Sequence, residues 1–189
     1  IFTFVNKMDR PARHPLEILD EIEQTLGLRT VPLNWPIGDG PDFKGVYDLR
    51  SGTVHVFERT EHGAKRAPVQ VGSLNDGSLE RLVGANLAAT LRDDIELLEG
   101  AGADLDLDAI LAGELTPVSF GSAITNFGVQ LFLDAFVGLA PAPGPRETLT
   151  TEIEPTDPTF TGFVFKIQAN MDPRHRDRVA YLRICSGKY

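Results

Sequence analysis

The polar stretch Asn6-Lys7-Met8-Asp9 lies between an apolar run and a turn, and it limits the folds that this chain can adopt. Residues 1–5 are apolar and β-prone, which predicts a strand, and Arg10-Pro11 turns the chain directly afterwards. In open α/β sheets, ligands bind where strands deliver polar residues at their carboxyl ends, ahead of a helix. The stretch therefore predicts a ligand site at a strand end of an α/β fold.

The side chains of this stretch suit a guanine base. An ionised carboxylate only accepts hydrogen bonds, so Asp9 can take both the ring N–H and the exocyclic amine of guanine. Adenine offers no such pair of donors on that edge and would leave the carboxylate unpaired. The Lys7 stem can lie along the base, and the Asn6 amide can tie neighbouring loops together. Taken alone, the four residues also fit an ordinary polar turn between a strand and a helix.

A second segment with the same layout lies more than a hundred residues downstream. Residues 116–121 predict another short strand, and Ser122-Ala123 stands at its end. In guanine-nucleotide sites, a small turn of this kind offers a backbone N–H to the guanine oxygen. Ser122 by itself is better explained as an ordinary turn or cap residue. The two segments together predict a guanine site built from two strand ends.

These motifs carry a family resemblance. Asn6–Arg10 and Ser122-Ala123 resemble the fourth and fifth guanine-binding motifs of the translational GTPases. Residues 160–178, Trp35–Gly38 and Phe43–Tyr47 resemble the bacterial peptide chain release factor 3 family in particular. The resemblance runs over essentially the whole chain. Elongation factor G shares the layout but lacks the Gln-Ala-Asn-Met-Asp-Pro run within residues 160–178.

The resemblance implies a function and a set of roles. Such proteins bind GTP and GDP on the ribosome in the cytoplasm and promote the release of class I release factors after the finished peptide has been freed. Asn6, Lys7 and Asp9 would recognise the base, and Ser122 and Ala123 would close the site. Two alternatives stay open: an elongation factor G-like translational GTPase, and a non-enzymatic module that only contacts ribosomal protein or RNA.

The phosphate-binding part of a nucleotide site is missing from the sequence. No Gly-x-x-x-x-Gly-Lys-Ser/Thr motif occurs in the 189 residues, and Ser186–Tyr189 is only a superficial echo of it. We therefore expect a fragment that holds half of a nucleotide site, with the Mg²⁺ ligands outside this chain. We expect no catalytic residue and no metal site here, and no GTP hydrolysis by the chain alone.

The predicted fold class is α/β: a partial P-loop-type GTPase sheet with an inserted small α+β subdomain, followed by the first strands of a β-barrel. The predicted divisions are a partial GTP-binding domain (1–140), its insert (about 45–113), a linker (141–150) and the start of a barrel domain (151–189). Predicted helices are residues 15–26, 78–99, 107–111 and 128–139. Predicted strands are residues 29–35, 46–49, 53–57, 67–71, 160–169 and 179–185.

Charge is uneven along the chain. The net charge is −9, yet the last 24 residues are basic, and Arg174, Arg176 and Arg178 could approach rRNA phosphates. Local pairing in a solvated turn explains these arginines equally well.

An acidic tract is predicted to be a solvated helix face; it comprises Asp93, Asp94, Glu96, Glu99, Asp104, Asp106 and Asp108. The sequence contains no apolar run long enough to predict a membrane-spanning helix, so no membrane partner is expected. The single Cys185 fits a reducing compartment.

The last strands also predict self-association. Phe163, Phe165 and Ile167 are expected on one face of an incomplete barrel, with Val164 and Lys166 on the other. A two-stranded hairpin is marginal in water unless it packs on something. We therefore expect this segment to pair with the same segment of another molecule.

Overall fold

The computed structural model describes residues 1–58, 65–66, 74, 77–102, 104–169, 171, 174 and 176–189. These residues form two compact units, Ile1–Ala140 and Pro141–Tyr189, and each is described by itself. The strand predicted at residues 67–71 lies outside the described residues. Within them, no helix is both long and apolar enough to cross a membrane.

Five α-helices, one short 3-10 helix (Gly40–Asp42) and eleven strands are described. The helices are α1 (Pro15–Leu26), α2 (Ser78–Val83), α3 (Ala85–Ala101), α4 (Leu107–Ala112) and α5 (Val129–Leu139). The strands are β1 (Thr3–Val5), β2 (Arg29–Pro32), β3 (Asn34–Ile37), β4 (Gly45–Asp48), β5 (Thr53–Glu58), β6 (Lys65–Arg66), β7 (Leu115–Phe120), β8 (Arg146–Glu147), β9 (Glu152–Ile153), β10 (Thr161–Ala169) and β11 (Arg178–Ser186).

The first unit is built on a three-stranded parallel sheet with the order β1-β7-β2. The middle strand β7 is buried along its whole length, as expected for a parallel strand covered on both faces. Helix α1 connects β1 to β2; Pro15 opens it and Gly27 ends it in a left-handed conformation. The predicted α/β class with a parallel sheet is thus confirmed.

The chain leaves this sheet earlier than the sequence predicts. The expected strand at 29–35 is two strands, because β2 ends at Pro32 and β3 begins at Asn34 in a second, antiparallel sheet of order β3-β4-β5-β6. Pro36, predicted to lie in a turn, is instead the partner of Val46. It is tolerated there because β3 is an edge strand and needs no ladder donor on its outer side.

The helix predicted at 78–99 is broken into α2 and α3 at Gly84. This residue has φ 92° and ψ 153°, far from helical values, and both adjoining helices end or begin on it. The prediction that Asp94 belongs to a solvated face is also wrong. Asp94 is buried, and one of its carboxylate oxygens accepts a hydrogen bond from Trp35 Nε1 at 2.8 Å.

One apolar cluster joins both sheets of the first unit. Its fully buried members include Trp35, Phe120 and Phe127, with the rings of Trp35 and Phe120 packed edge to face at 5.6 Å. Leu19 of α1 and Leu91 of α3 reach the same cluster. The parallel sheet and the antiparallel sheet therefore share one close-packed core.

The second unit contains two small antiparallel pairs, β8-β9 and β10-β11, and the described residues form no closed barrel. The predicted alternation in β10 is wrong because the register shifts between Val164 and Lys166. Phe165 is the extra residue of this bulge, so Lys166 stands opposite Tyr181 on the face that carries Phe163. Apolar side chains are exposed on both faces of the pair.

Candidate functional site

The two predicted motifs follow neighbouring parallel strands. Val5 of β1 lies opposite Phe120 of β7, so the carboxyl ends of the two strands meet at one edge of the sheet. Beyond the strands the loops stay joined: Gly121 N donates to Val5 O at 3.0 Å, and Met8 N donates to Gly121 O at 3.1 Å. The backbone alone therefore brings residues 6–9 and 121–123 together.

Asp9 and Ser122 are in direct contact across this edge. The Ser122 hydroxyl donates to Asp9 Oδ1 at 2.6 Å, and Ser122 is fully buried while Asp9 is half-buried. This bond holds the carboxylate in one orientation. Among the described residues nothing else bonds the carboxylate, so Oδ2 and the remaining lone pair of Oδ1 can accept two further donors on one edge.

Asn6 makes the second contact between the motifs. Its Oδ1 accepts hydrogen bonds from Ala123 N at 2.9 Å and from Lys7 N at 2.8 Å. The amide thus ties the two loops together, and its NH₂ group has no partner in the described part of the chain. A backbone N–H of the Ser122-Ala123 turn was expected to face a guanine oxygen. The Ala123 N–H donates to Asn6 Oδ1 here, so in that role it would be shared between Asn6 and the base.

Lys7 has an unusual backbone conformation. Its φ is 72°, in the left-handed region, which costs a non-glycine residue about 1–2 kcal/mol. A bond from Arg10 N to Lys7 O at 3.0 Å closes the turn, and Met8 is buried beneath it. Strain of this kind persists where the surroundings hold the chain firmly, and it is common at ligand sites. The Lys7 side chain is exposed at the site edge.

The downstream loop is held as firmly as the upstream one. Ser122 and Phe127 exchange two backbone hydrogen bonds of 2.9 Å, forming a short bridge across the turn between them. A Cβ on Gly121 would come within 2.4 Å of Phe127 O, so only glycine fits where the two loops cross. The Ser122 hydroxyl is therefore delivered by a closed, well-supported turn.

Three supporting residues were missed by reasoning from the sequence. Met8 is the buried anchor of its own motif, Gly121 allows the close approach of the loops, and Asn34 binds the backbone of Phe120 at the end of β7. The spacing of Gly121 directly before Ser122 could have indicated its role. Nothing in the local sequence indicates that of Asn34, because its partner is 86 positions away.

The arginines predicted to meet rRNA lie in the second unit. Arg178 is the first residue of β11, not part of a turn, and Arg176 precedes it; both are exposed. Arg174 is also exposed, and much of the segment around it lies outside the described residues. The strand-end residues of the candidate guanine site belong to the first unit, so the two sets of side chains are carried by separate parts of the chain.

Comparison with known proteins gives consistent family matches. The family model described as elongation factor Tu GTP binding domain matches residues 1–142, and that of elongation factor G domain 2 matches residues 159–189. A crystal structure of a protein from Thermus thermophilus matches 98% of this chain and 27% of its own with a TM-score of 0.57 and 23% identity, which supports the fold.

Curated relatives are considerably closer in sequence. Proteins named peptide chain release factor 3 from Trichodesmium erythraeum, Microcystis aeruginosa and Synechococcus elongatus are 59%, 56% and 56% identical over all 189 residues. The chain spans about a third of the length of these relatives, 34–35%. The predicted resemblance to release factor 3 is thereby confirmed, and the chain belongs to the family of translation-factor GTPases that share the elongation factor Tu GTP binding domain.

Proposed function

We propose that this chain carries the guanine-recognition half of the GTP-binding domain of a translation termination factor. In this proposal the whole protein acts on the ribosome and promotes the release of class I release factors. Three observations support it: the full-length similarity to proteins named release factor 3, the match to the GTP-binding domain family, and the joined strand-end loops.

The observation that carries the base-recognition role is the Ser122–Asp9 hydrogen bond. Two motifs separated by 113 positions meet through a buried hydroxyl and a carboxylate whose second oxygen has no partner among the described residues. The paired acceptors of Asp9 match the two donors on the Watson–Crick edge of guanine. Asn6 and Ala123 join the same loops from the other side, and the Lys7 stem is available to cover the face of the base.

None of these residues moves a proton or attacks phosphorus in the proposal. Phosphoryl transfer requires a phosphate-binding loop, Mg²⁺ and a positioned water, and the Mg²⁺ ligands are expected outside this chain. Asn6, Lys7, Asp9, Ser122 and Ala123 select the nucleotide and orient it. The contribution of the chain is thus specificity, since sites that hydrogen-bond a polar edge reject analogues lacking it by about 10⁴-fold.

In the same proposal, the second unit contacts rRNA and other copies of the isolated chain. Exposed Arg174, Arg176 and Arg178 approach rRNA phosphates, which attract basic side chains in a salt-dependent manner. The exposed apolar side chains of β10 and β11 drive self-association of the isolated chain, because a two-stranded pair cannot bury them by itself.

Asp9→Asn tests the base assignment. The Ser122 hydroxyl retains the amide oxygen, so the new NH₂ group faces the base and donates where the carboxylate accepted. Xanthine carries a carbonyl in place of the exocyclic amine of guanine, so preference should move from guanosine to xanthosine diphosphate. Titrating both diphosphates into the ¹⁵N-labelled chain, with shifts of residues 6–9 and 121–123 as the signal, measures this preference.

Asp20→Asn is the matched control, because Asp20 is an exposed acid on α1 outside the site. It should leave the ratio of the two affinities unchanged. An Asp9→Asn variant that still prefers guanosine diphosphate by the wild-type ratio would remove Asp9 from its assigned role.

A further inference from the structure

On its β2 side, strand β7 loses its main-chain neighbour near the site. Residues from Arg29 to Pro32 pair with Leu115 to Val118, and Leu33 N still donates to Val118 O at 2.8 Å. At Asn34 the main chain departs to pair with Asp48 in the antiparallel sheet. Among the described residues, Phe120, two residues further along β7, therefore has no main-chain partner on that side.

The Asn34 side chain takes the place of the departed strand. Its Oδ1 accepts from Phe120 N at 2.7 Å, and its Nδ2 donates to Phe120 O at 3.1 Å, with Asn34 itself buried. A primary amide presents one donor and one acceptor side by side, as a peptide group of a neighbouring strand does. No carboxylate or aliphatic side chain can satisfy both backbone groups.

Phe120 is the last support before the guanine-site loop. The next two residues are Gly121, which bonds Val5 and Met8, and Ser122, whose hydroxyl orients Asp9. The returning end of the loop also rests on this point, since a Cβ on Gly128 would lie 2.8 Å from Phe120 O and 3.8 Å from Asn34 Nδ2. A shift of Phe120 therefore displaces both ends of the loop.

We propose that Asn34, the first residue of the antiparallel sheet, is a positioning residue for the guanine site. Asn34 fixes the position of Phe120. Through Phe120 it positions the Ser122 hydroxyl relative to Asp9. In the same way it positions the Ala123 amide relative to Asn6. This inference rests on the proposed guanine-binding function. It makes β3, the edge strand of the antiparallel sheet, part of the support of the nucleotide site, so that displacement of β3 changes base recognition.

The first test needs no nucleotide. Asn34→Asp keeps an acceptor for Phe120 N but sets a carboxylate oxygen against Phe120 O. Amide hydrogen exchange of the ¹⁵N-labelled chain should become at least about tenfold faster at Ser122 and Ala123, with α3 amides such as that of Ile95 unchanged. Asn86→Asp, at an exposed position of α3, is the matched control and should change neither.

If Asn34→Asp does not fold, Asn34→Gln replaces it in the test, because this variant keeps the amide and displaces it by one methylene. It should accelerate exchange at Ser122 and Ala123 to an intermediate extent. Equal acceleration at the α3 amides would show general destabilisation and would overturn the positioning role. Wild-type exchange at Ser122 and Ala123 in folded variants would overturn it as well.

The second test links Asn34 to the base. Guanosine diphosphate is titrated into wild type, Asn34→Asp, Ser122→Ala and the double variant, and the dissociation constant should rise about tenfold for Asn34→Asp. In the Ser122→Ala background most of that rise should vanish, because Asn34 acts through this loop. Additive effects contradict the inference. If wild type shows no nucleotide-dependent shifts while Ser122 exchange responds to Asn34→Asp, the guanine-binding proposal fails and the positioning of the loop by Asn34 stands.

Discussion

The buried contact between Trp35 and Asp94 allows a quantitative prediction. The indole of Trp35 is fully buried, and its Nε1–H donates to Asp94 Oδ2 at 2.8 Å, while Oδ1 lies 3.4 Å from His14 Nε2. Asp94→Ala leaves the indole N–H unpaired in the core. A hydrogen bond to a charged group contributes about 1.5–3 kcal/mol, so we expect the free energy of unfolding to fall by about 2 kcal/mol.

The chain provides its own probe and control for this experiment. Trp35 is the single tryptophan, so its fluorescence reports unfolding of the first unit alone. A loss of about 2 kcal/mol should lower the midpoint of thermal unfolding by about 4–8 °C. Asp94→Asn keeps an acceptor and should lose about half as much. Asp93→Ala, exposed on the same helix, should change stability by less than about 0.5 kcal/mol. Equal midpoints for Asp94→Ala and Asp93→Ala would refute the reasoning.

Three further predictions concern the site and the second unit. The 189-residue chain should not hydrolyse GTP and should bind GDP more weakly than micromolar, because phosphate contacts worth about 1.5–3 kcal/mol each are missing from its sequence; calorimetry and phosphate release measure this. Gly121→Ala should destabilise the first unit by about 1–3 kcal/mol through a Cβ 2.4 Å from Phe127 O, whereas Gly138→Ala, with open space around it on α5, should be neutral or stabilising in the same melting assay. Light scattering should show a dimer or larger species for the full chain and a monomer for a version ending at Thr150; monomers for both would contradict pairing through β10 and β11.

Local sequence patterns were sufficient to predict the elements whose ends are set by residues close to them in the chain. Helix α1 begins at Pro15 and ends before Gly27, as the proline, the apolar spacing and the glycine predict. Helix α5 and strand β7 follow the same rules to within one residue at their first positions. The two polar strand ends were identifiable because their side-chain chemistry is specific, although nothing in their local sequence fixes the distance between them.

Errors arose where the backbone freedom of a glycine or pairing with distant residues decided the conformation. Gly84 reads as a tolerable helix residue, yet its backbone adopts φ 92° and separates α2 from α3. Asp94 reads as part of an acidic surface because six acidic neighbours flank it in sequence. Its burial follows from Trp35, 59 positions away, which offers a donor that the core cannot otherwise satisfy. In β10 the bulge at Phe165 places Lys166 on the face of Phe163 instead of the opposite face, because the register depends on β11.

Asn34 shows why a supporting residue can be hidden in a sequence whose binding motif is plain. Asn6 and Asp9 are recognisable because their chemistry matches a ligand edge, and that match can be read from side chains alone. Asn34 matches a piece of the protein's own backbone, and the need for it exists only because β3 leaves the parallel sheet while β7 continues to the site. A main-chain vacancy of this kind is filled by an amide, since buried N–H and C=O groups both require partners. Sequence motifs therefore reveal the groups that meet the ligand, whereas the residues that hold those groups in place emerge only when the paths of neighbouring strands are known.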